Sequence, residues 1–181
     1  ISLSGNDLLI EDTNGADTDD TLTISQTATD LIISDPNNLL FTVIAGATGN
    51  NSHTVTVPLS AFTGDIIVDA LGGNDTVVLD SSVTLSATLN GGDGNDLLEG
   101  GTGSDALNGG NGYDTVTYAN ATAGVVLSFS ATDGNGIGSQ YANLAAGGIS
   151  GEASGDSFSG IEAFIGSNFA DTVGGGSTDM T

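Results

Sequence analysis

The chain has 181 residues, no lysine or arginine, and 23 aspartates and glutamates, giving a formal net charge of −23 at pH 7. A chain without cationic side chains carries no nucleic-acid footprint and no polybasic membrane patch. No apolar run reaches bilayer-spanning length, and the absence of cysteine removes disulfides and thiolate metal sites. Self-repulsion of this size opposes compaction, so folding is expected to depend on external cations that prefer the native state. Disorder is the alternative for an acidic chain, but 38% of the residues are hydrophobic and they alternate as strands do. No positively charged leader precedes an apolar run, so a processed chain or a piece of a longer one is expected.

The first twenty residues are crowded with Asp7, Glu11, Asp12, Asp17, Asp19 and Asp20. Carboxylates this close repel one another unless a cation lies among them, although a solvated loop with strand ends accounts for them equally well. An EF-hand is ruled out, because the central glycine, the twelfth-position glutamate and the flanking helices are missing. From Thr21 to about Ala70 apolar residues alternate with polar ones. Strands are predicted around Leu22 and Ile24, Leu31 to Ser34, Leu40 to Ile44, His53 to Pro58 and Ile66 to Val68, separated by turn-rich stretches at 35–38 and 46–52. Val83, Leu85, Ala87 and Leu89 alternate into the segment that follows. No stretch shows a 3.6-residue period, so helix is expected to be nearly absent.

Residues 91–117 read GGDGNDLLE, GGTGSDALN and GGNGYDTVT. Each nonapeptide has glycine at positions one, two and four, aspartate at six and an aliphatic residue at eight. The glycines permit left-handed turns that bring backbone carbonyls close to a cation. The carboxylates of Asp96, Asp105 and Asp114 supply the hard oxygen that calcium prefers. Leu98, Leu107 and Val116 are predicted to point inward from short strands and stack. If two nonapeptides make one coil, turns 18 residues apart lie on one side. The turn at Gly91 to Asp96 then stacks beneath that at Gly109 to Asp114 with one complete site between them, while the turn at Gly100 to Asp105 faces the other side and needs a degenerate partner.

Worn copies lie outside this block. Gly72-Gly73-Asn74-Asp75-Thr76-Val77 matches the second half of a unit, and Gly5-Asn6-Asp7-Leu8-Leu9 mirrors Gly94 to Leu98. The tripeptide Asp-Thr-Val/Leu recurs at 20, 75, 114 and 171, and turn-like stretches return at 166–173 and 174–179. The perfect block resembles the RTX, or haemolysin-type calcium-binding repeat, family, and the segments at 118–125, 156–162 and 166–173 resemble sequences that trail such repeats in bacterial exoproteins. The resemblance implies an all-β fold with a parallel β-roll, or β-solenoid, segment whose turns bind calcium, flanked by further strands. Its ligand pattern carries over to Gly91, Gly92, Asp93, Gly94 and Asp96, to Gly100, Gly101, Gly103 and Asp105, and to Gly109, Gly110, Gly112 and Asp114. Asp75 and Asp171 join them from the degenerate copies.

Three segments are expected: strands over 1–70, the calcium-binding roll over 71–117 and further strands with degenerate repeats over 118–181, forming one continuous body. The one histidine, His53, sits in an alternating strand, and neither H-E-x-x-H nor G-x-S-x-G occurs. No enzyme is expected. Two readings follow. One is a secreted, calcium-stiffened structural protein whose subunits join end to end as a homo-oligomer, filament or surface layer, with Ile1-Ser2-Leu3 adding to a neighbour's open edge. The other is a calcium-triggered folding or secretion module of a larger exoprotein such as a toxin, adhesin or hydrolase. The absence of trypsin-type cleavage points favours the first. Neither involves nucleic acid or membrane insertion.

Overall fold

The computed structural model describes residues 1–11, 18–129, 140–141 and 151–175. Their strands are β1 (Ser2–Ser4), β2 (Asp7–Glu11), β3 (Thr21–Gln26), β4 (Asp30–Ser34), β5 (Thr54–Pro58), β6 (Ile66–Asp69), β7 (Thr76–Leu79), β8 (Ala87–Asp93), β9 (Leu97–Glu99), β10 (Ala106–Asn111), β11 (Thr115–Thr117), β12 (Val126–Phe129), β13 (Gln140–Tyr141), β14 (Ser157–Ser159), β15 (Ala163–Ile165) and β16 (Thr172–Gly175). Among the described residues the helical content is one 3-10 turn at Leu59–Ala61. The fold is all-β.

Two seven-stranded sheets form the body, in the orders β1-β2-β6-β8-β10-β14-β13 and β15-β11-β9-β7-β3-β4-β5, and β12 pairs with β16 in a small third sheet. Both large sheets are mixed. Five successive strands of each run parallel, while β1 and β13 attach antiparallel at the two edges of the first sheet and β4 and β5 at one edge of the second. Where a parallel roll was expected, the sheets are therefore mixed, with antiparallel strands beside the parallel ones, and strands from all three expected segments enter the same two sheets.

Period-two alternation turns one apolar row inward from each sheet. Successive parallel strands align Ile10, Val68, Leu89, Leu107 and Phe158 in the first sheet. In the second they align Leu22, Val77, Leu98, Val116 and Phe164. All but the partly buried Phe164 belong to the buried core. The rows meet where Phe158 and Phe164 pack edge to face with centroids 5.2 Å apart. The inward stacking read from Leu98, Leu107 and Val116 is thus observed, with Leu107 in the sheet opposite the other two.

Two expected strands differ. Leu40 makes a single antiparallel bridge to Ser52 and residues 41–44 leave the sheet, exposing Phe41 and Val43. The strand read from Val83 begins only at Ala87, because the backbone turns at residues 80–83, where the Val83 amide donates to the Asp80 carbonyl at 2.8 Å. Val83 is still fully buried. β8 also runs on through Gly91 and Gly92 to Asp93, so half of the first glycine turn is strand. Ser2–Ser4 is not free: it folds back on its own β2, pairing Ser2 with Leu9 and Ser4 with Asp7. Of the acidic start, Asp12 and Asp17 lie outside the described residues, as does 176–179 of the turn-like end.

Candidate metal centre

Each parallel strand of the second sheet is entered through an acidic residue two positions before its inward apolar one, so the sheet register also stacks the acids; in the first sheet β10 and β14 alone share this, through Asp105 and Asp156. On one side of the body the column is Asp20, Asp75, Asp96, Asp114 and Glu162. Two hydrogen bonds recur at every step. The amide of each acid donates to the carboxylate of the next: Asp20 to Asp75 Oδ1 at 2.7 Å, Asp75 to Asp96 Oδ1 at 2.8 Å, Asp96 to Asp114 Oδ1 at 2.9 Å and Asp114 to Glu162 Oε2 at 2.8 Å. The residue after each acid donates back to the carbonyl below, as from Thr115 to Asp96 and from Leu97 to Asp75, both at 2.8 Å.

The separation between Asp96 and Asp114 is the expected 18 residues, and Gly92 pairs with Gly110 in the same register. Close stacking explains the glycines. Gly94 and Gly112 have φ of 137° and 146°, and a Cβ on Gly112 would strike the Gly94 carbonyl, as one on Gly94 would strike that of Gly73. Gly92, Gly101 and Gly110 are likewise in the left-handed region, while Gly103 is not.

On the opposite side Asp105 repeats the pattern. Its Oδ1 accepts the Ala87 amide at 2.8 Å and its own amide donates to Asp156 Oδ1 at 2.8 Å. The degenerate partners that this turn was expected to need are residues 83–85 below, whose Val83 and Leu85 carbonyls lie against Gly101 and Gly103, and 154–156 above. Asp171 forms a separate copy. It is exposed, its Oδ1 accepts the Val125 amide at 2.9 Å and the Ser167 hydroxyl at 2.6 Å, and these bonds hold its carboxyl below the usual range.

One oxygen of each central carboxylate is used in this way and the other is not. Asp75, Asp96, Asp105 and Asp114 are at most 2% exposed, and the Oδ2 of each is buried without a hydrogen-bond partner. Such an oxygen in a chain with no cationic side chain costs several kcal/mol if ionised. Burial accordingly raises all four carboxyls, Asp75 to about 6 and Asp105 to about 8, with the neighbouring Asp156 charge adding to the latter. Each orphan in the perfect units lies against the glycine that opens its unit. A Cβ on Gly91 would meet Asp96 Oδ2 and the Gly109 carbonyl, one on Gly109 would meet Asp114 Oδ2 and the Gly160 carbonyl, and one on Gly100 would meet Asp105 Oδ2. Carboxylate and carbonyl oxygens therefore converge beside a residue with no side chain, a donor set that suits a hard cation.

Among the described residues no three Asp, Glu or His side chains converge. What the turns offer is one carboxylate each beside backbone carbonyls. Asp93 differs from the central aspartates in being exposed, and its Oδ1 accepts the Asn111 side-chain amide at 2.7 Å. The expected single complete site between the first and third turns is only one of several equivalent steps, because Gly160 and Glu162 supply a further coil above Asp114. Asp156 and Glu162 were not read as site residues, and Asp20 was read only with the acidic start, although the recurring Asp-Thr-Val/Leu tripeptide already placed it in the series. His53 points elsewhere, its Nδ1 3.0 Å from the carbonyls of Asp35 and Asn38, which assigns the ring proton to Nδ1.

No curated protein and no solved structure matches the chain. The family model of the RTX calcium-binding nonapeptide repeat (4 copies) matches residues 86–116. Asp96, Asp105 and Asp114 all lie within that match, so their turns are similar to RTX nonapeptide repeats, and the ion such repeats bind is calcium.

Proposed function

We propose that this is a non-enzymatic, extracellular calcium-binding structural protein in which calcium ions staple the stacked turns into a stiff β-roll. The observation that carries the reading is the set of four orphaned, buried carboxylate oxygens among the described residues of a chain without a single lysine or arginine. Calcium supplies the missing positive charge and takes up the carbonyls beside it. Extracellular calcium sites work at about 10⁻⁴ to 10⁻³ M, so the same chain is loosely folded where calcium is scarce and stiff outside the cell.

A second reading, a calcium-triggered folding module of a larger secreted protein, is favoured by one observation. Ser2–Ser4, the segment suited to end-to-end addition, is engaged with its own β2. Calcium titration followed by circular dichroism and negative-stain microscopy, with magnesium as control, tests both. A gain of β signal and of melting temperature specific for calcium supports calcium stapling; rods then support a self-assembling subunit and compact monomers a module. A β spectrum unchanged between chelator and saturating calcium overturns the stapling.

A further inference from the structure

Tyr118 stands where the repeat calls for glycine. β9 passes through Gly100 to Asp105 and enters β10; one coil higher, β11 passes through Tyr118 into a long excursion that returns at Asp156 and enters β14. The register makes these the same turn. Leu98 pairs with Val116, so Gly100 and Tyr118 are equivalent, and Ala106 pairs with Ser157, so Asp105 and Asp156 are equivalent. Asp156 also makes the bonds of a sixth-position aspartate, accepting the Asp105 amide at 2.8 Å while Ser157 donates to the Asp105 carbonyl at 2.8 Å.

The two turns differ beside Oδ2. In the lower turn Gly100 has no side chain, a Cβ there would strike Asp105 Oδ2, and that oxygen is orphaned. In the upper turn the Tyr118 hydroxyl donates to Asp156 Oδ2 at 2.6 Å, with tyrosine and aspartate 1% and 2% exposed. That length is in the range of a charge-assisted bond. Asp156 is accordingly absent from the four orphans. The residues that follow Tyr118 into the excursion have also lost the cation pattern, with Ala119 and Ala121 where a nonapeptide has its second and fourth glycines.

We propose that the Tyr118 hydroxyl takes the place of a calcium ion at this turn, satisfying the buried Asp156 oxygen so that the turn closes without metal. The turn thereby accommodates an excursion between its first and sixth positions, which no run of glycine carbonyls around an ion would allow. This inference rests on the calcium reading of the other turns, and the test keeps the two apart.

Calcium bound per chain is counted by equilibrium dialysis for the parent, Asp105→Asn and Asp156→Asn. Asp105→Asn is expected to bind one ion fewer and Asp156→Asn the same number as the parent. An ion lost with Asp156→Asn overturns the tyrosine clasp, whereas no ion lost with Asp105→Asn overturns the calcium reading instead. Tyr118→Phe keeps the ring and carries the test if Asp156→Asn does not fold. It is expected to leave the ion number unchanged and to lower the melting temperature by about 3 °C, equally at low and saturating calcium. A melting temperature equal to that of the parent, or a deficit that calcium erases, overturns the proposal.

Discussion

Two buried aspartates on the same body behave in opposite ways. Asp35, in the turn after β4, is 3% exposed, yet its carboxylate is saturated by its own neighbours: Oδ1 accepts the amides of Asn37 and Asn38 at 2.7 and 3.0 Å, and Oδ2 the Asn38 side chain at 3.2 Å. Asp114, in the repeat block, is 0% exposed and has one oxygen satisfied and one bare. Burial alone therefore does not make a metal site. What distinguishes the repeat is an oxygen left unsatisfied beside a residue without a side chain, next to a stacked carbonyl.

Removing calcium breaks this comparison most strongly. In chelator the amides of Asp75, Asp96 and Ala87, which donate to the carboxylates of Asp96, Asp114 and Asp105, are expected to lose hydrogen-exchange protection, whereas those of Asn37 and Asn38 keep theirs; equal loss in both regions would mean that calcium acts only through global stability. Leu107→Ala, in the apolar row, is expected to cost about 2–5 kcal/mol in denaturant melts at any calcium level. A smaller effect, of about 1–3 kcal/mol, separates the two aspartates: Asp114→Asn destabilises the calcium-loaded protein but not the calcium-free one, where it removes an unpaired buried charge. Asp35→Asn should show no such dependence on calcium.

The pH response sharpens the same contrast. The folded-state carboxyls of Asp75 and Asp105 are raised, to about 6 and about 8, so the folded, calcium-free protein holds protons more tightly than the unfolded chain. The stability this contributes is fully present below the ordinary carboxyl range and is lost as pH rises through 6 and then 8. Calcium-free protein is thus expected to melt higher at pH 5 than at pH 9. With saturating calcium the slope should reverse, because the carboxyls must lose their protons before the ion binds. Melting curves at both pH values with and without calcium check the sign.

The repeat block was legible in the sequence because its signal is local. Glycines at one, two and four, aspartate at six and an aliphatic residue at eight fix turn, ligand and inward strand within nine residues, and the 18-residue step follows from two units per coil. The flanking coils were less legible, since their closing residues are distant in sequence. Asp20 stacks on Asp75 across the whole β4–β5 excursion, and Asp156 completes a turn that Tyr118 begins, 38 residues earlier. The same limit explains the misread strand at Leu40 to Ile44. Its alternation is real, but β4 already pairs with β3 and β5, leaving residues 41–44 without a ladder. The long β8 was underestimated for the reverse reason, because stacked glycines satisfy strand pairing as well as turns.

Anomalous diffraction from crystals grown in calcium tests the central claim most directly. Calcium stapling predicts peaks about 2.3–2.6 Å from Oδ2 of Asp75, Asp96, Asp105 and Asp114, shared with backbone carbonyls of the stacked glycine turns. Crystals in calcium with no anomalous peak at these oxygens, or with peaks confined to exposed carboxylates such as Asp93, would contradict it.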